Sequence, residues 1–174
     1  MHKTIFGKMG GVILGMAFAG PALAIDECLV GSWTPEPGAM AAQFEQNASL
    51  QNVEIIGAVV MGLSHDGGAY DLNGMVIKVR NPGMPPMEMT MNGIGEFAAT
   101  AQGGHIAFTM GVFNYAVEAK IDMGGTPMVM DIPFSEEMAP MGQGALGTYT
   151  CSDTSLTFVS DGEPGKLINM WVRQ

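Results

Sequence analysis

The chain has 174 residues, of which 47% are apolar, and a formal net charge of −10 at neutral pH. This length predicts one domain, and the apolar content excludes a disordered chain. Because an acidic chain repels phosphate groups, we expect neither nucleic acid nor an anionic membrane surface as its partner.

Residues 1–24 have the pattern of a secretory signal peptide. Lys3 and Lys8 precede an apolar run that ends in the small-x-small tripeptide Ala22-Leu23-Ala24. The run is short for a membrane span of about 20 residues, so we expect cleavage after residue 24 and no transmembrane span in the mature chain. The pattern is of a bacterial type and predicts a periplasmic or secreted protein. Loss of the two lysines leaves 5 basic residues (7 − 2) against 17 acidic ones, a net charge of −12.

Two cysteines, Cys28 and Cys151, remain near opposite ends of the mature chain. In an oxidising compartment an isolated pair predicts a disulfide, with two free thiols as the alternative. A bridge requires the two Cα atoms to lie within about 6 Å of each other. The first strand and a near-terminal strand would then meet, and a sheet whose ends meet is most economically a closed barrel.

Short apolar or alternating runs separated by Gly, Pro, Asn and Asp predict strands for most of the mature chain. A helix is predicted between the first strand and the next, with Pro37 near its start and Asn47 near its end. A turn at 112–114 and a loop at 135–144 are also predicted. We therefore expect an all-β domain over residues 25–174, an antiparallel meander closed into a barrel of about 8–10 strands, with one short helix after the first strand. The strands predicted after the helix are 53–63, 69–80, 87–92, 96–101, 105–110, 115–121, 128–132, 145–151, 156–160 and 166–173.

Both ends of the mature chain resemble the calycin superfamily, which includes the lipocalins and the fatty-acid-binding proteins. A Gly-x-Trp motif, Gly31-Ser32-Trp33, begins the first strand, and Arg173 lies on the last. The resemblance implies structural roles for Gly31, Trp33 and Arg173, with the Trp at the closed end of the barrel and the Arg across it. The chain is also similar to small secreted bacterial lipocalin-like proteins, mostly of unknown function. In those proteins a Cys before Gly-x-Trp matches a Tyr-x-Cys near the end, which here is Tyr149-Thr150-Cys151.

Methionine is the unusual component of this sequence, with 17 residues in all and 14 after residue 24. Met87, Met89 and Met91 occur at a spacing of two, so they share one face of a strand, and Met128 and Met130 do the same. Three interpretations remain open. The methionines fill an irregular core, they line an apolar ligand cavity inside the barrel, or they form a thioether site for Cu(I).

The sequence contains no catalytic motif. Ser64, His65 and Asp66 are contiguous, whereas a catalytic triad depends on spatial geometry, and no Gly-x-Ser-x-Gly motif is present. His65 and His105 stand alone, so we expect no catalytic residue, resident metal or cofactor.

The functional prediction is an exported, non-catalytic barrel protein that binds a small apolar ligand. The alternatives are periplasmic handling of Cu(I) by the methionines and a structural or envelope-interaction protein with a filled barrel. The residues predicted to contact the ligand are Met87, Met89, Met91, Phe97, Phe108, Met110, Met128 and Met130.

Overall fold

The computed structural model describes residues 25–36, 38–48, 50–133, 146–161 and 170–174. The predicted signal peptide therefore lies outside the described residues. So do the predicted loop 135–144, with Met138 and Met141, and the first part of the last predicted strand, 166–169.

Within these described ranges, eleven strands and one α-helix follow a 3-10 turn at Glu27–Leu29. Their bounds are β1 Gly31–Pro35, α1 Ala39–Ala48, β2 Val53–Ile56, β3 Val60–Ser64, β4 Gly67–Asp71, β5 Met75–Val79, β6 Met87–Gln102, β7 His105–Asp122, β8 Pro127–Ile132, β9 Leu146–Cys151, β10 Ser155–Ser160 and β11 Met170–Arg173.

Eight of these strands close into an antiparallel barrel. Around the barrel the order is β1, β3, β4, β6, β7, β9, β10 and β11, and β11 pairs with β1 to complete the circle. Each barrel strand thus neighbours the next barrel strand along the chain, which is an up-and-down meander. The predicted all-β class, the closed antiparallel barrel and the helix after the first strand are confirmed.

The same sheet continues beyond the closed barrel as a five-stranded part, and the sequence did not predict it. Strands β6 and β7 have 16 and 18 residues, and their paired ends at 87–92 and 116–121 continue past the barrel. There β5 pairs with β6, β2 pairs with β5, and β8 pairs with β7. We call β2, β5, β8 and these protruding parts of β6 and β7 the sheet extension.

Two predicted strands are each divided in two. The predicted run 53–63 is broken at Gly57, whose φ of +87° takes the chain out of β2 before β3 begins. The run 69–80 is broken by a turn around Gly74, which separates β4 from β5. Both breaks move the chain between the barrel and the sheet extension.

In β6 and β7 the sequence predicted too many strands instead of too few. The predicted strands 87–92 and 96–101 form one strand, β6, and the predicted turn at 112–114 is wrong because residues 105–122 form one strand, β7. Here the register skips at a β-bulge, in which Gly111 and Val112 lie opposite Glu96 alone. A bulge adds one residue to a strand without ending its pairing. The resulting break in the alternation of apolar residues was therefore interpreted as a turn.

The helix α1 packs on the sheet extension next to β2. Met40 is buried in the core, Phe44 packs against that core, and the Glu45 carboxylate accepts a hydrogen bond from the Val53 N–H at 3.2 Å. The helix therefore covers the β2 edge of the layer.

Arg173 on β11 lies over the indole ring of Trp33 on β1. The guanidinium carbon lies 4.2 Å from the centre of the indole ring, a cation–π distance. The same guanidinium donates to the carbonyls of Val30 at 2.8 Å and Cys28 at 2.7 Å. A Cβ at Gly31 would overlap Nη1 of Arg173, so the Arg position requires glycine there. A disulfide joins Cys28 to Cys151, with a Cα–Cα distance of 6.1 Å.

A chain of aromatic side chains crosses the interior of the barrel. Five buried rings form a chain of contacts across the interior, with centroid distances between 4.8 and 6.3 Å. Such tilted and edge-on contacts add stability beyond the area they bury. In order of contact the rings are Trp171, Tyr70, Phe97, Phe108 and Phe158.

Tyr149, close to the disulfide, makes the free energy of unfolding depend on pH in the alkaline range. Burial, and then the hydrogen bond from the Tyr149 hydroxyl to the Asp26 carboxylate, raise the pKa of Tyr149 to about 12. A raised folded-state pKa contributes stability that is complete below pH ~10 and is lost as pH rises toward ~12. We expect Tyr149→Phe to lose less stability than the wild type between about pH 9 and 11.5 in urea unfolding. Identical losses in the two proteins would contradict this role.

Candidate functional site

The predicted ligand residues occupy two parts of the sheet, although Met91 shares one hydrophobic core with Phe97 and Phe108, and Met87 and Met89 pack against that core. Phe97 and Phe108 belong to the aromatic chain inside the barrel, and Met110 lies opposite Phe97 in the β6–β7 register. The five other predicted residues lie on the sheet extension: Met87, Met89, Met91, Met128 and Met130.

These five methionines share one face of the sheet extension. In an antiparallel sheet, residues directly opposite each other point to the same side, and the registers align Met89 with Ile77, Ala119 and, through Ala119, Met130. Following the registers through all five strands gives an entirely apolar set of fourteen residues, which we call the Met-rich face. Its members are Val53, Ile55, Met75, Ile77, Val79, Met87, Met89, Met91, Val117, Ala119, Ile121, Met128, Met130 and Ile132.

The opposite face of the sheet extension contains its charged residues, together with the apolar Ile56, Val76 and Val129. One row across four strands alternates in charge, from Glu54 to Lys78, Glu88 and Lys120, and the Lys78 and Glu88 side chains lie 4.0 Å apart. Opposite charges in cross-strand pairs stabilise a solvated sheet face. The sheet extension is therefore amphipathic, with its charges on one side and its methionines on the other.

Exposure on the Met-rich face is greatest at the β8 edge. Ile77 and Val79, on the side near α1, are buried. Met87 and Met89 are half-buried, whereas Met128 and Met130 are 43% and 38% exposed. Contiguous exposed apolar surface is typical of interaction and ligand sites. The β8 side is therefore the accessible part of this face.

Two further methionines lie at the tip of the sheet extension. The Asp122 N–H donates to the Pro86 carbonyl at 3.1 Å, which holds the β7–β8 turn beside the loop before β6. Met84 in that loop and Met123 in that turn are both well exposed. Met84 and Met123 are close in sequence to the two runs of alternating methionines, whereas Met75 lies outside both runs and was not predicted as a site residue. The alternation of Met75, Ile77 and Val79 in the sequence was the signal that could have placed Met75 on the same face as the other methionines.

The junction between barrel and sheet extension contains two neutral tyrosines. Tyr70 lies opposite Gly95 and Tyr115 opposite Gly93. Burial, and then the nearby Tyr115, raise the pKa of Tyr70, while burial and then Asp71 raise the pKa of Tyr115. Both phenols therefore stay protonated at neutral pH, and neither places a charge next to the Met-rich face.

In the described part of the chain, no three His, Cys, Asp or Glu residues are grouped to hold a metal ion. His65 lies 3.7 Å from Glu27, and both side chains are largely exposed. Hard divalent ions need several oxygen or imidazole ligands, so the described residues offer them no such group.

Comparison with family models, curated proteins and solved structures gives no match for this chain. Among the residues that the structure describes, no helix has the length and apolar character needed to cross a membrane.

Proposed function

We propose that this chain is an exported, non-catalytic barrel protein of calycin-like build, which binds a small apolar ligand on its Met-rich face. The observation that carries the proposal is the apolar surface formed by the exposed Met128 and Met130 beside the half-buried Met87 and Met89. Methionine side chains are flexible and polarisable, and they adapt to ligands of varied shape.

The aromatic chain supports a site outside the barrel centre. Phe108 contacts Phe97 and Phe158 at centroid distances of 5.6 and 5.5 Å, and all three rings are buried. A ligand in that position would have to displace rings that already contact one another. On the Met-rich face, a ligand covers surface that is already exposed to water, so the hydrophobic gain requires no rearrangement of the core.

Charge narrows the class of ligand. The mature chain carries a net charge of −12, and the Met-rich face contains no charged residue to neutralise an anion. Desolvating an unpaired charge against an apolar surface is costly. The proposed ligand is therefore neutral and largely apolar.

The proposed location is the periplasm or the medium. The signal-peptide pattern of residues 1–24 supports export, and the Cys28–Cys151 disulfide is of the kind that persists in oxidising compartments.

Binding of Nile red, a neutral apolar dye, tests the proposal by fluorescence titration. We expect saturable binding to the wild type, and about tenfold weaker binding to Met130→Glu, because an unpaired carboxylate on this face is costly to desolvate. Met170→Glu is the matched control, since Met170 is 47% exposed and lies on barrel strand β11. It should bind like the wild type. Equal weakening in both variants would contradict the assignment of the site.

The alternative function is a structural or envelope-interaction role with a filled barrel. The buried aromatic chain favours it, because a barrel filled by its own side chains needs no ligand for stability. It predicts that the wild type shows no saturable binding of Nile red, so the same titration separates the two functions.

A further inference from the structure

Four methionines form a compact group on the accessible side of the Met-rich face. In the β6–β7–β8 registers, Met89 and Met130 flank Ala119, while Met87 and Met128 flank Ile121. Within each strand the two methionines are two residues apart. The four thioethers therefore project from the corners of one small quadrilateral on the sheet.

Ala119, a small side chain at the centre of this group, is completely covered by its neighbours. Strands lie about 4.8 Å apart, so the Cα atoms of Met89 and Met130 are separated by about 10 Å across β7. The methyl group of Ala119 occupies little of that space, yet this residue is 0% exposed, between one half-buried and one 38% exposed methionine. Long unbranched side chains on both sides of a covered alanine can bring their sulfur atoms together above it.

The ligand set selects a soft cation. Thioethers favour Cu(I), whereas Zn²⁺ and Ca²⁺ prefer imidazole, thiolate or oxygen ligands. The fourteen residues of the Met-rich face include none of those side chains. The net charge of −12 on the mature chain favours the approach of a cation from solution.

We propose that Met87, Met89, Met128 and Met130 form a thioether binding site for Cu(I) on the sheet extension. The site depends on sulfur and not on apolar area, so it goes beyond the proposed binding of an apolar ligand. No redox step is involved, because the copper binds and leaves as Cu(I).

Anaerobic titration of the full mature chain with Cu(I), in competition with the chelator bicinchoninate, measures the affinity. The test variant replaces all four methionines by leucine, which keeps size and apolarity but removes sulfur. We expect one Cu(I) per chain in the wild type and an affinity lower by about tenfold or more in the variant, since even indirect damage to a metal site costs ten- to hundredfold. Met170→Leu is the matched control and should bind like the wild type.

Far-UV circular dichroism checks that the variant is folded, and Met89→Leu with Met130→Leu is the milder substitute if it is not. X-ray absorption of the copper-loaded wild type should show sulfur neighbours only. The proposal is overturned if the wild type does not compete with bicinchoninate, if the methionine variants bind Cu(I) as tightly as Met170→Leu, or if nitrogen and oxygen dominate the first shell. Saturable Nile red binding without Cu(I) binding would reject the copper site and leave the apolar ligand proposal standing.

Discussion

Replacing Cys28 and Cys151 together by alanine is expected to lower the free energy of unfolding by about 4–5 kcal/mol. The two cysteines are 123 positions apart, so their bridge closes most of the mature chain into one loop. A loop of this length removes much of the conformational freedom of the unfolded chain. The disulfide also ties the segment before β1 to the end of β9, close to the β1–β11 pairing that completes the barrel.

Urea unfolding of the oxidised wild type and of the double variant measures this difference. A reducing agent serves as the control, because it should lower the stability of the wild type and leave the variant unchanged. A difference below about 1 kcal/mol between the two oxidised proteins would contradict the proposed role of the bridge, since it falls well short of the value for a long loop.

Phe108→Ala is expected to cost about 3–5 kcal/mol of unfolding free energy, the usual range for a phenylalanine in a packed core. Phe108 is almost completely buried and lies between Phe97 and Phe158, so its loss separates Phe158 from the other rings of the aromatic chain. The cavity left behind would lie inside a closed barrel whose strands are held in register by hydrogen bonds on both sides.

Val159→Ala is the matched control for this prediction. Val159 lies on β10 next to Phe158 but is exposed on the outside of the barrel, and surface substitutions of this kind usually stay within about 0.5 kcal/mol. If Phe108→Ala is destabilising by less than about 1 kcal/mol in urea unfolding, the barrel is not filled as described and an internal ligand site becomes the better interpretation.

Much of the barrel was predictable because its determinants are local. Alternating apolar residues and Gly-rich turns gave the all-β class, and the cysteine pair required the ends of the chain to meet. The predicted strand 156–160 agrees with β10, Ser155–Ser160, to within one residue. These features depend on short-range sequence patterns, so they can be predicted without knowing which strands pair.

The sheet extension was not predictable by the same means. A bulge at Gly111 and Val112 looks like a turn in the sequence, yet β7 runs through it to Asp122. Whether β2, β5 and β8 belong to the barrel or to the layer beside it depends on long-range pairing with β6 and β7. Local periodicity contains no information on which strand is the neighbour.

The methionines were found from their spacing, but their surroundings were not. A spacing of two correctly put Met87, Met89 and Met91 on one face, as the registers with β5 and β7 require. Met91 belongs to the same buried core as Phe108, and Met87 and Met89 pack against that core. Spacing did not show that β8 continues this face with Met128 and Met130 at an exposed edge.

Methyl NMR of the methionines tests the central claim most directly, namely that an apolar ligand binds the Met-rich face outside a filled barrel. In protein labelled with ¹³C at the methionine ε-methyl groups, saturation with Nile red should shift the signals of Met89, Met128 and Met130. Met61, buried in the barrel, and Met170, on its outer side, should not shift. A shift at Met61 without shifts at Met128 and Met130 would contradict the account and place the ligand inside the barrel.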